Sequence, residues 1–181
     1  MDLMSGGGGM DRIMNYFEFY DLPMTIEMDK AALKKIYFKN SRKYHPDLHS
    51  GATDSEIEEV EKLSSVNSEA YEVLGDFGSR LKHIMTILDG GEIETPQLSP
   101  DFLMEMMEIN ESVENMSEEE KEQLREEVHE RDQKLYKELG ALVSRDLSGA
   151  SSDEIDKVRA YYFERKYLLR ILENLDNLAA L

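Results

Sequence analysis

The side chains best suited to chemistry lie in one short stretch, His45-Pro46-Asp47, with His49 close behind it. An imidazole and a carboxylate this close could serve as metal ligands or as members of a catalytic set. A metal site needs further ligands at a matching geometry, and none is evident nearby. No set of nucleophile, base and orienting group is visible either, and His83 and His129 are expected to be surface or half-buried residues. The sequence therefore predicts no enzyme and no metal site.

A basic amphipathic helix is predicted immediately before this tripeptide, beginning after a capping residue, Asp29. Pro46 ends it, because proline lacks an N–H and disfavours helical backbone at His45. The face with the apolar side chains, at steps of three and four, consists of Leu33, Ile36, Tyr37, Asn40 and Tyr44. The cations elsewhere on the helix are Lys30, Lys34, Lys35, Lys39, Arg42 and Lys43. The tripeptide is thus displayed at the end of a helix that carries no carboxylate.

The composition of the whole chain makes this basic helix anomalous. The 181 residues include 39 Asp and Glu against 21 Lys and Arg, and the net charge is -18. Such a surface repels nucleic acid and anionic membranes, so neither is expected as a partner. The alternative for the helix itself is an ordinary solvated face followed by a proline stop.

Cysteine is absent from the chain. This excludes disulfides, cysteine-ligated zinc and thiol catalysis, and no cofactor is predicted. A chain without cysteine fits a reducing compartment, and a cytoplasmic location is expected. No apolar run is long enough to cross a bilayer.

The first half of the chain is predicted to be a small helical domain over residues 14–90. Residues 1–13 contain Gly6 to Gly9 and are predicted to be a flexible tail or a remnant of an expression vector, with Met14 as the natural start. An aromatic element, Asn15 to Leu22, precedes the basic helix. A second long helix begins at Asp54 or Ser55, and the two would pack as an antiparallel hairpin. A shorter helix, Ser79 to Leu88, follows.

The second half, residues 99–181, is predicted to be a three-helix bundle. Residues 91–98 form the linker, since glycine and proline punctuate them and no helical face runs through them. Ser99 can cap a helix that Pro100 starts, and Ser117 with Glu120 forms a capping box. A further capping signal begins at Ser151. Capped amphipathic helices with short connections predict an all-α chain.

The first half resembles a J domain of the DnaJ family. The resemblance rests on the aromatic opening, the basic helix ending in His45-Pro46-Asp47, and the run from Asn67 to Leu74, and it covers Tyr16 to Leu88. One departure is Leu48, where J domains often carry a lysine.

The segment from Phe102 to Glu111 opens the second half and is rich in methionine. The residues that can form a core face are Phe102, Leu103, Met106, Ile109 and Val113, whereas Met104, Met107, Glu108 and Glu111 fall elsewhere on the helix. Two interpretations stay open. The methionines fill the core, or they form an exposed binding patch with an acidic rim.

A J domain followed by an acidic bundle that opens with this segment resembles HscB, the family of J-type co-chaperones of iron–sulfur cluster assembly. The resemblance implies that the basic helix and its loop bind a DnaK-type ATPase chaperone, specialised (HscA) or general, through Lys35, Lys39, Arg42, Lys43, His45, Pro46 and Asp47. It also implies that the bundle binds the scaffold protein IscU. Carried over by position, the scaffold patch is Leu103, Met104, Met107 and Phe163, with Glu108 and Glu111 supplying charge. Some members carry a tetracysteine zinc module, which this chain lacks.

Two other functions remain open at this point. One is a J protein whose bundle recognises a different client. The other is a helical adaptor that has no chaperone partner and whose His45-Pro46-Asp47 is coincidental.

Overall fold

The computed structural model of this protein describes residues 13–49 and 51–179. The predicted tail, residues 1–13, lies outside this part except for Ile13. The described residues form seven α-helices and short 3₁₀ turns, with no strand among them, which confirms the predicted all-α fold. None of these helices is both long and apolar enough to cross a membrane. The helices are α1 (Tyr16–Tyr20), α2 (Lys30–Lys43), α3 (Asp54–Gly75), α4 (Phe77–Leu88), α5 (Pro100–Ser112), α6 (Glu118–Glu138) and α7 (Ser152–Ala179).

The basic helix α2 begins where the sequence predicted. The Asp29 carboxylate accepts hydrogen bonds from the N–H groups of Ala31 (2.8 Å) and Ala32 (3.1 Å). The helix ends at Lys43, because the backbone of Tyr44 (φ -101°, ψ 22°) has already left the helical conformation. The proline therefore follows a helix end that is already made.

The hairpin of α2 and α3 is held together by a buried asparagine. Asn67 lies on the mainly apolar face of α3 and is 1% exposed. Its side-chain oxygen accepts from the Tyr20 hydroxyl of α1 (3.0 Å), and its amide donates to the Tyr37 carbonyl (3.3 Å) and the Ser41 hydroxyl (3.0 Å) of α2. A buried polar side chain costs little when its hydrogen bonds are made. One residue thus fixes the relative positions of three helices.

A histidine positions the short aromatic helix α1 against α4. The Tyr16 N–H donates to Nε2 of His83 (3.2 Å), and the two rings stack with centroids 4.7 Å apart. Burial lowers the pKa of His83. Since Nε2 accepts this hydrogen bond, the neutral imidazole is the form that fits the fold.

The N-terminal helices enclose one apolar cluster, which also takes in part of the second half. Its members from the first half are Phe17, Tyr20, Met24, Ile26, Leu33, Ala70, Leu74, Leu81, Ile84 and Met85. Its members from the second half are Leu139, Leu142, Leu147, Val158 and Tyr161. One apolar core therefore crosses between the two halves.

A second apolar cluster lies between α5, α6 and the C-terminal part of α7. It consists of Phe102, Met106, Val113, Leu124, Val128, Leu168, Ile171 and Leu175. The predicted caps of this bundle are present. Ser99 accepts from the Phe102 N–H, and Ser117 and Glu120 form the reciprocal capping box.

Helix α7 joins the two clusters. It has 28 residues and is therefore about 42 Å long. Near its start, Arg159 forms an ion pair with Asp89 (2.5 Å), whose side chain is only 1% exposed. Asp89 also accepts from the N–H of Glu94 (2.9 Å). The ion pair ties the end of α4 and the predicted linker to α7.

Candidate functional site

The His45-Pro46-Asp47 tripeptide lies on an exposed loop between α2 and α3. Its last two residues open a 3₁₀ turn, Pro46–His49. The side chains of His45 and Asp47 are 56% and 87% exposed. Neither contributes to the core, so both can meet a partner without any rearrangement of the fold.

The loop is folded by its own hydrogen bonds. The Asp47 N–H donates to Nδ1 of His45 (3.3 Å), and the Leu48 N–H donates to the His45 carbonyl (3.0 Å). Because Nδ1 accepts here, the ring proton of neutral His45 lies on Nε2. The Asp47 carboxylate is 3.6 Å from Nδ1, so the two side chains form a charged pair when the imidazole is protonated.

A second histidine closes the loop from the other side. Nε2 of His49 donates to the Lys43 carbonyl at the end of α2 (3.0 Å), and the Ala52 N–H donates to the His49 carbonyl (2.9 Å). The sequence interpretation considered His49 only as a metal ligand. Among the described residues, no group of three or more His, Cys, Asp or Glu side chains could hold a metal ion. Its contacts give His49 a role in shaping the loop.

The cations of α2 are exposed to solvent. In the described part of the chain, no ion pair joins Lys35, Lys39 or Arg42 to a carboxylate. Lys43 lies with its ammonium 4.9 Å from the centre of the Tyr44 ring. The helix therefore presents its positive charge to solvent, beside the tripeptide.

The methionines of α5 are divided between the two interpretations, since one fills the core and two are exposed. Met106 is 1% exposed and belongs to the core, whereas Met104 and Met107 are 61% and 63% exposed. Leu103, which the spacing also placed on the core face, is 37% exposed. The outward side of α5 thus carries exposed apolar side chains, and Glu108 and Glu111 are exposed beside them.

Two grooves lie where α5 packs against α7. The first, of about 320 Å³, is lined by Thr95, Pro96, Leu98, Leu103, Phe163, Lys166, Tyr167 and Arg170. The second, of about 450 Å³, is lined by Leu103, Met106, Met107, Asn110, Glu111, Tyr167, Arg170 and Asn174. Leu103, Tyr167 and Arg170 line both. The structure thus brings Leu103 of α5 together with Phe163 of α7, which a helix wheel of α5 alone could not establish.

Two of the predicted patch residues lie outside the groove linings. Met104 and Glu108 are exposed on α5 but line neither groove. Glu105 belongs to another face, since it pairs with Arg131 of α6 (2.6 Å). The patch consists of Leu103, Met104, Met107 and Phe163. Leu103, Met107 and Phe163 line the grooves, and Met104 is exposed beside them.

Three groove residues on α7 were missed in the sequence: Lys166, Tyr167 and Arg170. They follow Phe163 at steps of three, four and seven, so they share its face of the helix. That spacing was the available signal. It carried little weight, because every face of α7 mixes apolar and charged residues.

Comparison with known proteins identifies similar chains over nearly the whole length. The profile of a family described as "HSCB C-terminal oligomerisation domain" matches residues 98–176. A Vibrio parahaemolyticus protein named co-chaperone protein HscB homolog is 30% identical over 159 residues, which cover 84% of this chain and 92% of the relative. A protein of the same name from Paraburkholderia phytofirmans is 27% identical over 172 residues, covering 90% and 97% of the two chains. Both names denote co-chaperones rather than enzymes.

Two solved structures share the fold. Human co-chaperone protein HscB matches with a TM-score of 0.71 at 24% identity, over 93% of this chain and 83% of that one. Chaperone HscB from Vibrio cholerae matches with a TM-score of 0.59 at 24% identity, over 90% and 99% of the two chains. At this identity the likeness is one of fold alone.

Proposed function

This chain belongs to the HscB family of co-chaperones, and from that premise we propose a specific division of labour. The loop with His45-Pro46-Asp47 stimulates the ATPase of a DnaK-type or HscA-type chaperone. The patch on α5 and α7 binds an iron–sulfur scaffold protein of the IscU type and delivers it to that chaperone. The chain itself carries out no chemistry.

Chaperone binding is supported by the exposed side chains of His45 and Asp47 at the end of a helix whose Lys35, Lys39 and Arg42 pair with no carboxylate of the described residues. An acidic groove on the chaperone would find both features side by side. The cations would speed the encounter and fix its register. To stimulate hydrolysis, the contact must favour the hydrolysis-competent state of the chaperone over its resting state. His45 and Asp47, exposed and held by the loop, are the groups assigned to that differential contact.

The scaffold half is supported by the exposed apolar side chains of α5. Solvent-exposed methionines are adaptable contact residues, and a cluster of them beside grooves is typical of a binding surface. Glu108 and Glu111 supply negative charge at its edge. This chain has no cysteine, so no thiolate of its own can hold the cluster, which stays on the scaffold as cargo.

The domain organisation follows the same division. Residues 14–90 form the J domain, residues 91–98 the linker and residues 99–181 the scaffold-binding domain. The shared core and the pair of Arg159 with Asp89 hold the two domains together. We therefore expect a chaperone and a scaffold bound to this chain to meet at a fixed relative position.

The decisive experiment for the chaperone half is ATPase stimulation of a purified DnaK-type chaperone by the full chain. A fragment that ends at residue 91 is unsuitable, because it would expose the core that Leu147 and Val158 cover. His45→Gln should abolish stimulation and leave the melting temperature unchanged, since the side chain is 56% exposed. His129→Gln, an exposed histidine on α6, is the matched control and should stimulate like the parent. Full stimulation by His45→Gln would show that stimulation does not depend on the tripeptide, and no stimulation by the parent chain would leave a helical adaptor without this partner.

The decisive experiment for the scaffold half is a binding titration with a purified IscU-type scaffold. If the parent chain binds the scaffold and Met104→Ala weakens this binding, the assignment of the scaffold as the client is supported. An absence of binding by the parent chain, together with intact ATPase stimulation, would leave a J protein that serves a different client.

A further inference from the structure

The scaffold patch has a positive edge that neither the family resemblance nor the relatives' names assign. Lys166 and Arg170 are exposed, lie one turn apart on α7 and line the first groove. Arg170 also lines the second groove, so it stands where the two grooves meet. The Lys166 ammonium lies 5.4 Å from the centre of the Phe163 ring, beside the apolar surface of the patch.

Arg170 is unusual among the arginines of the described residues because it has no partner. The arginines that contact a carboxylate or a backbone carbonyl are Arg80, Arg125, Arg131, Arg145, Arg159 and Arg165. Within the described part of the chain, no hydrogen bond or ion pair of this kind involves Arg170 or Arg42. Arg42 lies on the basic helix proposed to bind the chaperone. In a chain with 39 acidic residues against 21 basic ones, an unpaired guanidinium in a groove has N–H groups free to donate to a carboxylate.

The shape of the grooves limits what can reach this guanidinium. Leu103 and Tyr167 separate and line both grooves, so an occupant must bring an apolar surface to them. The Asn174 amide donates to Asn110 (2.7 Å) and links α7 to α5 at the second groove. Glu111 lines the same groove from α5, with charge opposite to that of Arg170. The patch is therefore negative along α5, apolar in the middle and positive along α7.

We propose that Arg170, with Lys166 beside it, binds a carboxylate of the scaffold next to the apolar residue that docks on Leu103. A guanidinium can hold a carboxylate through two parallel hydrogen bonds, which fixes direction as well as position. The opposite charges of the two edges then allow one orientation of the scaffold on the patch and oppose the reversed one. This inference rests on the proposed scaffold-binding function and names the chemistry of its partner.

The test is a binding titration of the full chain with a purified IscU-type scaffold at low and high salt. Arg170→Glu should weaken binding about tenfold or more and reduce its salt dependence, and Arg170→Lys should recover only part of the loss, because an ammonium lacks the two-pronged geometry. Lys157→Glu is the matched control. This lysine is exposed on the same helix, nine residues from Lys166 and so on the opposite face, and its reversal should leave binding unchanged. Melting curves should coincide for all three variants.

A charge swap identifies the partner group. Single Asp or Glu to Lys variants of the scaffold surface should include one that restores binding to Arg170→Glu, and failure of every swap would overturn the carboxylate assignment. Parent-like binding by Arg170→Glu would overturn the inference as a whole. Met107→Ala separates the two levels of the argument. If it weakens binding while Arg170→Glu does not, the scaffold patch stands and only the role of Arg170 is wrong. If neither weakens binding, the proposed function of the patch fails with it.

Discussion

Two adjacent methionines on α5 allow the sharpest test of the patch, because the same substitution should have opposite effects at the two positions. Met106 is 1% exposed and lies in the second apolar cluster, whereas Met107 is 63% exposed. Met107→Ala should weaken scaffold binding and hardly change stability. Met106→Ala should destabilise the bundle, and any effect on binding should follow from unfolding.

The magnitudes follow from the burial. Truncating a buried methionine to alanine costs about 2–5 kcal/mol, through lost transfer energy and the cavity left behind. At about 2–4 °C per kcal/mol for a chain of this size, the melting temperature of Met106→Ala should fall by roughly 4–20 °C. Complete burial of a methionine is worth about 1.5–3 kcal/mol, and little more than a third of Met107 is covered, so its loss costs at most about 1 kcal/mol. At the centre of an interface, the same truncation costs about 1–3 kcal/mol of binding.

The assay pairs thermal melts with titrations of the purified scaffold on both variants and the parent. The expected pattern is weaker binding with an intact melt for Met107→Ala, and a lowered melt for Met106→Ala with normal affinity at a temperature where it is folded. A Met107→Ala variant that melts like Met106→Ala would place Met107 in the core. One that melts and binds like the parent would refute the assignment of this surface to the scaffold.

Three further predictions concern the groups that hold the fold and steer the chaperone. Burial lowers the pKa of His83 in the folded chain, so as the pH falls the histidine is protonated more readily in the unfolded chain. The free energy of unfolding should therefore fall as the pH drops below about 6.5. Urea unfolding at pH 7 and pH 5 measures this loss, which should be smaller in His83→Phe. Arg159→Ala leaves the buried Asp89 without its cation and should cost about 3 kcal/mol in denaturant unfolding, whereas a cost below about 0.5 kcal/mol would mean that the pair does not secure the junction. Reversing Lys39, Arg42 and Lys43 to Glu should slow chaperone association and remove its salt dependence in stopped-flow measurements, and unchanged rates would assign the steering to another surface.

Local signals in the sequence predicted the helices well. Asp29, Ser99 and Ser117 cap helices as expected, because a cap depends only on a side chain and the N–H groups of the next turn. The apolar stripe likewise identified the inward face of α2. These features are decided within a few residues, and periodicity reports them directly.

Packing between distant segments was not visible in the same signals. The bonds of Asn67 to Tyr20 and Ser41 depend on three helices meeting at one point. The pair of Asp89 and Arg159 joins residues 70 positions apart. Such contacts have no local pattern, so the sequence did not reveal the core that crosses between the halves.

At the candidate site, too, local signals predicted part of the arrangement and packing between helices decided the rest. Spacing placed Leu103 on the core face together with Met106, because both fall on a stripe wider than 100°. The structure shows that Leu103 lies at the edge of that stripe, where it is 37% exposed and lines two grooves. Whether a boundary residue is covered depends on the neighbouring helix. Phe163, Lys166 and Arg170 of α7 lie across the grooves from it, and only the packing of two helices brings them there.

Helix α7 connects the two proposed surfaces physically. Arg159 holds it to the J domain. Arg170 lines both grooves of the patch and lies eleven residues further, about 16 Å along the helix axis. The loop and the patch are both formed in one packed body, and neither requires the other to be occupied before it can bind. Coupling within the chain would need a second arrangement of this body with a different affinity for one partner. On the proposed function, we infer that the chain acts by holding the scaffold at a high local concentration beside the chaperone. The allosteric response then belongs to the chaperone, and the rigidity of the junction decides how well the scaffold is presented to it.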